Sequence, residues 1–265
     1  MSQDISVNLD SSGSAQSHLE HGRVLLQLEN ISKEFPGVKA LSDVHFDLRS
    51  GEVHAICGEN GAGKSTLMKI VSGVYQPTSG TILHKGRAVQ YASPLESEAA
   101  GIAIIHQELN LVPHLSIAEN IYLAREPRRG FLVDRKRLRA DASRCLGRLG
   151  IDLDPDQLVR GLSVAQCQMV EIAKALSLNA EVLIMDEPTS SLTEQETRLL
   201  FKVIRDLKAS GVGIVYISHR LDEMAEIVDR VTILRDGRYI STDDFSAVTV
   251  DDIVTRMVGR SLEEK

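Results

Sequence analysis

The octapeptide Gly58-Glu59-Asn60-Gly61-Ala62-Gly63-Lys64-Ser65 fits the pattern G-x-x-x-x-G-K-[ST] at every position, and no other feature of the 265-residue chain restricts its fold as much. Such a loop works only between a buried strand and a helix, because the N–H groups of the turn and of the helix N-terminus must converge on one anion. Both flanks are present. Val53 to Cys57 is an apolar run that enters the loop as a buried strand would, and Thr66-Leu67-Met68-Lys69-Ile70-Val71 leaves it with helical character. The pattern therefore predicts a nucleoside triphosphate site. Gly58, Glu59, Asn60, Gly61, Ala62 and Gly63 would cradle the phosphates, with Thr66 opening the helix behind them. Lys64 would reach the β and γ phosphates and Ser65 would ligate Mg²⁺.

Composition narrows the class. With 43% hydrophobic residues the chain can bury a substantial core, as one large domain or one domain carrying a smaller subdomain. A formal net charge of -7 argues against nucleic acid as a partner, since phosphate-backbone binders usually carry a basic face. No apolar stretch approaches the roughly 18 residues of a membrane span, and the N-terminus lacks a basic start followed by an apolar core. A cytoplasmic location is expected. Cys57, Cys145 and Cys167 are odd in number and widely spaced, which suggests reduced thiols rather than disulfides or a zinc site.

Along the chain, Met1 to Gly22 is rich in Ser, Gln, Asp and His, and residues 1–23 read as a disordered tail. Val44, Phe46 and Leu48 alternate with His45, Asp47 and Arg49, the period of a half-buried antiparallel strand, and Gly51 turns the chain toward the loop. Ser93-Pro94-Leu95-Glu96 and Ser116-Ile117-Ala118-Glu119 carry capping-box signals for two helices, with a short strand, Gly101 to Ile105, between them. From Ser116 to about Leu178 the apolar spacing is helical and strand signals vanish, which predicts a helical insertion, about residues 108–178, in an otherwise α/β domain. Beyond it come a strand from Val182 to Met185, a helix capped by Thr193 and Glu196 with Leu199, Val203 and Leu207 on one stripe, and a strand from Gly213 to Ser218. That alternation predicts a mainly parallel core sheet.

The strand Val182-Leu183-Ile184-Met185 ends in Asp186-Glu187, two carboxylates at the edge where open α/β sheets bind ligands. Asp186 would hold Mg²⁺ and Glu187 would accept a proton from, or position, the attacking water.

Shortly before that strand stands Leu162-Ser163-Val164-Ala165-Gln166, which resembles the Leu-Ser-Gly-Gly-Gln signature of ATP-binding-cassette ATPases. With the loop, the Asp186-Glu187 strand, Gln107 and His219, this makes five motifs in the family's order, and the resemblance runs from about Val24 to Arg260. It implies a P-loop cassette of three parts: the parallel core, an antiparallel β subdomain and the helical insertion. It further implies that Gln107 is a Q-loop glutamine serving metal and catalysis, that His219 is the switch histidine, and that Phe35 stacks on adenine. In the family two cassettes face head to tail, so Ser163 and Gln166 would meet the ATP held by the other cassette's loop.

Val164 and Ala165 replace two signature glycines, Met169 replaces a usual arginine, and Ser191-Leu192-Thr193 lacks the usual aspartate. Together with Gln168 to Ser177, Asp186 to Thr193, Phe35 to Leu41 and Met257-Val258-Gly259-Arg260, these departures resemble the ATPases of bacterial monosaccharide importers of the ribose, xylose, arabinose and galactose group. The resemblance implies ATP and Mg²⁺ as cofactors and membrane permease subunits as partners. It also implies a second cassette, an indirect link to a periplasmic sugar-binding protein, and a place on the inner face of the cell membrane. Residues 261–265 would begin the linker to a second cassette, the chain being either a piece of a longer polypeptide or a natural half-length form. Two other readings stand beside this one: a soluble cassette ATPase acting on DNA or ribosomes, and a non-hydrolysing nucleotide-dependent module. The intact Lys64, Asp186, Glu187 and His219 weigh against the latter.

Overall fold

Alternating apolar residues begin the fold. Strands β1 (Val24–Phe35) and β2 (Val38–Arg49) pair antiparallel, with Val44, Phe46 and Leu48 buried between the exposed or half-buried positions. The computed structural model describes residues 22–106 and 110–259. The tail, Gln107, Arg260 and the linker lie outside the described residues, apart from Gly22 and Arg23 at the tail's end. Strand β4 (Ser79–His84) pairs with β1 on its other side, and β5 (Arg87–Val89) pairs with β4.

Gly51, at φ 70, turns β2 into β3 (Val53–Cys57), every residue of which is buried. Such two-sided burial belongs to a parallel strand covered on both faces. After the loop comes α1 (Lys64–Val71), and its Leu67, Met68, Ile70 and Val71 pack on one face of the sheet. Strands β6 (Ile102–Ile105), β9 (Val182–Asp186), β10 (Gly213–Ile217) and β11 (Arg230–Arg235) complete the parallel part in the order β11, β3, β10, β9, β6. Strand β12 (Arg238–Asp244) runs antiparallel to β11 and touches β2 through the single pair Arg238↔Ser42, which joins both parts into one ten-stranded sheet.

The helices of the insertion are α3 (Ile117–Ile121), α4 (Arg135–Arg148) and α5 (Val164–Ser177). They pack with α6 (Glu194–Ala209) and the side chains Val53, Ala55 and Cys57 on the face opposite α1. Two short helices, α2 (Pro94–Ala99) and α7 (Leu221–Met224), and the closing α8 (Val250–Val258) finish the chain.

Three local expectations need correction. The insertion is not wholly helical, because Arg128–Arg129 and Leu132–Val133 form a two-stranded hairpin, β7 and β8, turning at Gly130. Those strands are too short to show a period. On α6 the buried stripe runs through Leu200, Val203, Ile204 and Leu207, while Leu199 is 46% exposed. At α2, Ser93 stands at the N-cap but its side chain caps nothing, and Glu96 instead accepts from the Ala92 N–H at 2.8 Å.

Candidate nucleotide site

The parallel strand β3 delivers the loop, and packing explains its glycines. At Gly58 a Cβ would stand 2.4 Å from the Leu234 carbonyl oxygen, and at Gly63 it would stand 2.5 Å from Leu41 Cδ2. Gly63 also holds φ 100, a left-handed conformation that leaves glycine with no competitor at the helix entry. The loop thus lies pressed against β2 and β11, beside an open cleft of 490 Å³ lined by residues 60–66, Val38 to Ala40, Asp236 and Gly237. Lys64 Nζ donates to the carbonyls of Gly58 at 2.7 Å and Glu59 at 3.1 Å, so the ammonium is curled against the loop. A glycine-lined cradle of amides with a lysine at its rim suits a polyphosphate.

Asp186 ends β9 in register with Ile217. Partial burial and then the neighbouring Glu187 charge raise its carboxyl above the ordinary value, while His106, Lys64 and Lys69 act in the opposite direction. The strand-end carboxylate thus lies within the field of the loop lysine. Among the described residues no cluster of three or more His, Cys, Asp or Glu could hold a metal alone.

Glu187 adopts φ 50, a left-handed conformation costing about 1–3 kcal/mol at a non-glycine residue and persisting only where the surroundings enforce it. Its N–H donates to the Ile217 carbonyl at 2.8 Å. Its Oε2 lies 2.8 Å from His219 Nδ1, close but without hydrogen-bond alignment, and the imidazole is 72% exposed. Strand ends β9 and β10 thus bring the expected carboxylates and histidine to one edge beside the loop.

Ser163 and Gln166 stand elsewhere. They close a capping box at the start of α5: the Gln166 N–H donates to Ser163 Oγ at 3.3 Å and the Ser163 N–H donates to Gln166 Oε1 at 2.9 Å. Neither lines the loop's cleft. Phe35 is half-buried, edge-on to Tyr75 with ring centroids 5.3 Å apart and with Lys33 Nζ 5.1 Å from its ring centre, and it too is not among the cleft's lining residues. Val38, Lys39, Ala40, Asp236 and Gly237 are cleft residues that sequence reading passed over. A signal existed for two of them, because Asp236-Gly237 is the dipeptide of a tight hairpin, here at φ 51 and φ 72 between β11 and β12. The Gly237 N–H donates to the Ala62 carbonyl at 3.2 Å and braces the loop.

A family model described as ABC transporter matches residues 41–190. A protein of Agrobacterium fabrum, whose name describes a ribose/galactose/methyl galactoside import ATP-binding protein, is 90% identical over 242 residues, covering 91% of this chain and 48% of that protein. A similarly named protein of Burkholderia cenocepacia is 64% identical over 247 residues, covering 93% of this chain and 48% of its own length. The chain spans about half the length of the curated relatives it matches. Among solved structures, a nucleotide-free ATP-binding cassette from an ABC transporter superimposes with a TM-score of 0.73 at 26% identity, over 83% of this chain and 91% of that one. A cassette of an ABC transporter in its ADP conformation gives 0.76 at 25% identity, over 89% and 95%.

Proposed function

This chain belongs to the ABC transporter family, and we propose that it is the ATP-binding and ATP-hydrolysing part of an importer, coupling Mg-dependent hydrolysis to monosaccharide uptake through a membrane permease. The observation that carries this reading is the meeting of Lys64, Asp186, Glu187 and His219 at one sheet edge, with Glu187 held in a strained conformation beside His219. The relatives' names supply the substrate class: ribose, galactose or methyl galactoside.

In this reading the amides of Gly58 to Gly63 and the start of α1 bind the phosphates, and Lys64 leaves the carbonyls of Gly58 and Glu59 for the β and γ oxygens. Ser65 and Asp186 would hold Mg²⁺, with Gln107 as a further ligand, and the ion would supply positive charge for the phosphates. Glu187 receives at a carboxylate oxygen the proton of the attacking water. His219, with Nδ1 turned to Glu187, offers Nε2 to the γ-phosphate. Phe35 serves the base, while Ser163 and Gln166 serve the ATP of a facing cassette, where the dipole of the 14-residue α5 adds to Ser163's hydroxyl.

The partners are then permease subunits, a second cassette and, indirectly, a periplasmic sugar-binding protein, with the chain lying on the inner face of the membrane. No helix among the described residues is long and apolar enough to cross a membrane. The test is uptake of labelled ribose or galactose by vesicles carrying the permease. Lys64→Ala is expected to reduce ATP affinity at least about 100-fold, the loss of charge-assisted contacts to two phosphates, and to abolish uptake. Unchanged uptake would remove the reading.

A further inference from the structure

A buried polar pair at the switch end of the sheet is used by none of the roles above. Thr189, two residues past Glu187, is fully buried, and its Oγ1 donates to Glu223 Oε2 at 2.6 Å. Glu223 belongs to α7, the four-residue helix that follows His219, and is only 9% exposed. Its other oxygen, Oε1, pairs with the Arg220 guanidinium. A carboxylate taken out of water needs partners at both oxygens, and Glu223 has found one on each side of the reaction edge.

The geometry around the pair is closed. On one side, the Glu187 N–H is fixed to the Ile217 carbonyl, and the chain continues from Ile217 through Ser218 to His219. On the other, Met224 is fully buried with Sδ 3.6 Å from Sγ of Cys57, the residue before Gly58, so α7 is anchored against the strand that feeds the loop. Tyr216, fully buried in β10, lies amid the same groups. Burial pushes its phenol up, the neighbouring Thr189 hydroxyl acts the other way, and the Glu223 and Glu187 carboxylates add to the rise. The Glu187 and His219 side chains, by contrast, are joined only by a 2.8 Å approach without alignment. Something else must set their separation, because a left-handed glutamate relaxes unless its surroundings hold it.

We propose that Thr189 and Glu223 are positioning residues that clamp the Glu187 segment to the His219 segment and so set the distance between carboxylate and imidazole during ATP hydrolysis. This rests on the roles given to Glu187 and His219 above. Neither clamp residue touches nucleotide; each acts through the backbone of its neighbour.

The experiment uses the full chain, with ATP affinity measured by calorimetry and hydrolysis measured in a single turnover at enzyme excess. Thr189→Val keeps the shape and removes the donor. It is expected to lower the hydrolysis rate about tenfold, the scale on which small misplacements of reacting groups act, while affinity stays within about twofold. Thr189→Ser should restore the rate. Glu223→Ala should match Thr189→Val, and the double variant should be no slower than either single, since the two act as one unit. The ring resonances of His219, identified by their loss in His219→Gln, should move in Thr189→Val and return in Thr189→Ser. If Thr189→Val does not fold, Glu223→Gln carries the same readouts with side-chain volume kept. Unchanged hydrolysis and unmoved His219 resonances, or losses that add in the double variant, would overturn the proposal. Glu187→Gln run in parallel separates the two levels: if it leaves hydrolysis intact the functional reading fails, and if it abolishes hydrolysis while Thr189→Val does nothing only the clamp fails.

Discussion

Asp186, the carboxylate proposed to hold Mg²⁺, weakens the fold that carries it when it is charged. Burial and the adjacent Glu187 raise its carboxyl above the ordinary value of 3.8, so the folded chain holds this proton more tightly than the unfolded chain does. The stabilising contribution is therefore complete below pH 3.8 and is lost as pH rises through the raised folded value, leaving a penalty at neutral pH. Asp186→Asn should raise the melting temperature of the nucleotide-free chain at pH 7, with a gain that shrinks as pH falls toward 3.8, and should remove the Mg²⁺ dependence of ATP binding. Calorimetry with and without Mg²⁺ checks both halves. Asp186, Lys64 and Ser65 were legible in the sequence because each sits inside a contiguous motif whose chemistry fixes the residue type. The left-handed turn at Glu187 and the Thr189–Glu223 pair were not. The first is a backbone state without a glycine to announce it, and the second joins residues 34 positions apart.

Capping boxes made several helices readable, since Ser116, Ser163 and Thr193 each close the reciprocal bonds with the residue three ahead. Thr249 does the same for α8 with Asp252 and went unread, because the familiar pattern asks for Glu or Gln there. A cap that also faces a partner can be divided experimentally. Ser163→Ala should cost about 1 kcal/mol in urea unfolding, whereas Ser163→Asp keeps the cap, leaves stability near the parent's, and should still lose hydrolysis in an assembled transporter because its charge opposes phosphate. Equal hydrolysis in parent and Ser163→Asp would reduce Ser163 to a cap. Nor does local pattern reveal what joins the antiparallel strands to the parallel ones. Arg230 on β11 reaches Asp47 on β2 with two bonds, at 2.7 Å and 2.8 Å, and Glu52 at 3.1 Å, spanning a seam where β2 and β12 share one pair. Arg230→Ala would take the shared cation from the buried Glu52 and the half-buried Asp47, leaving them the Arg49 N–H at 2.7 Å and the Arg49 Nε at 3.4 Å, and should destabilise the chain by about 1–3 kcal/mol, read as a lower urea midpoint. A midpoint equal to the parent's would mean the seam is held by packing alone.

At the scale of the whole molecule, one sheet gathers the proposed catalytic groups at one edge and leaves the signature outside the loop's cleft, which Lys64 lines but Asp186, Glu187 and His219 do not. Lys64, Asp186, Glu187 and His219 converge where β3, β9 and β10 end, while Ser163 heads a helix of the insertion and does not line the loop's cleft. This architecture was legible from the order of strands and helices, since a phosphate loop, a strand ending in two carboxylates and a strand ending in histidine leave little freedom in a parallel sheet. The proposed division of labour between two cassettes rests on the family resemblance, and under that proposal the chain alone would bind ATP well and hydrolyse it slowly. The most direct measurement is ATP affinity and hydrolysis by the parent chain and Glu187→Gln side by side, with Mg²⁺ present. Affinity within about threefold of the parent, together with hydrolysis lowered at least about 100-fold, is the expected result for a carboxylate that handles the water's proton and not the nucleotide. Hydrolysis by Glu187→Gln at the parent's rate would contradict it.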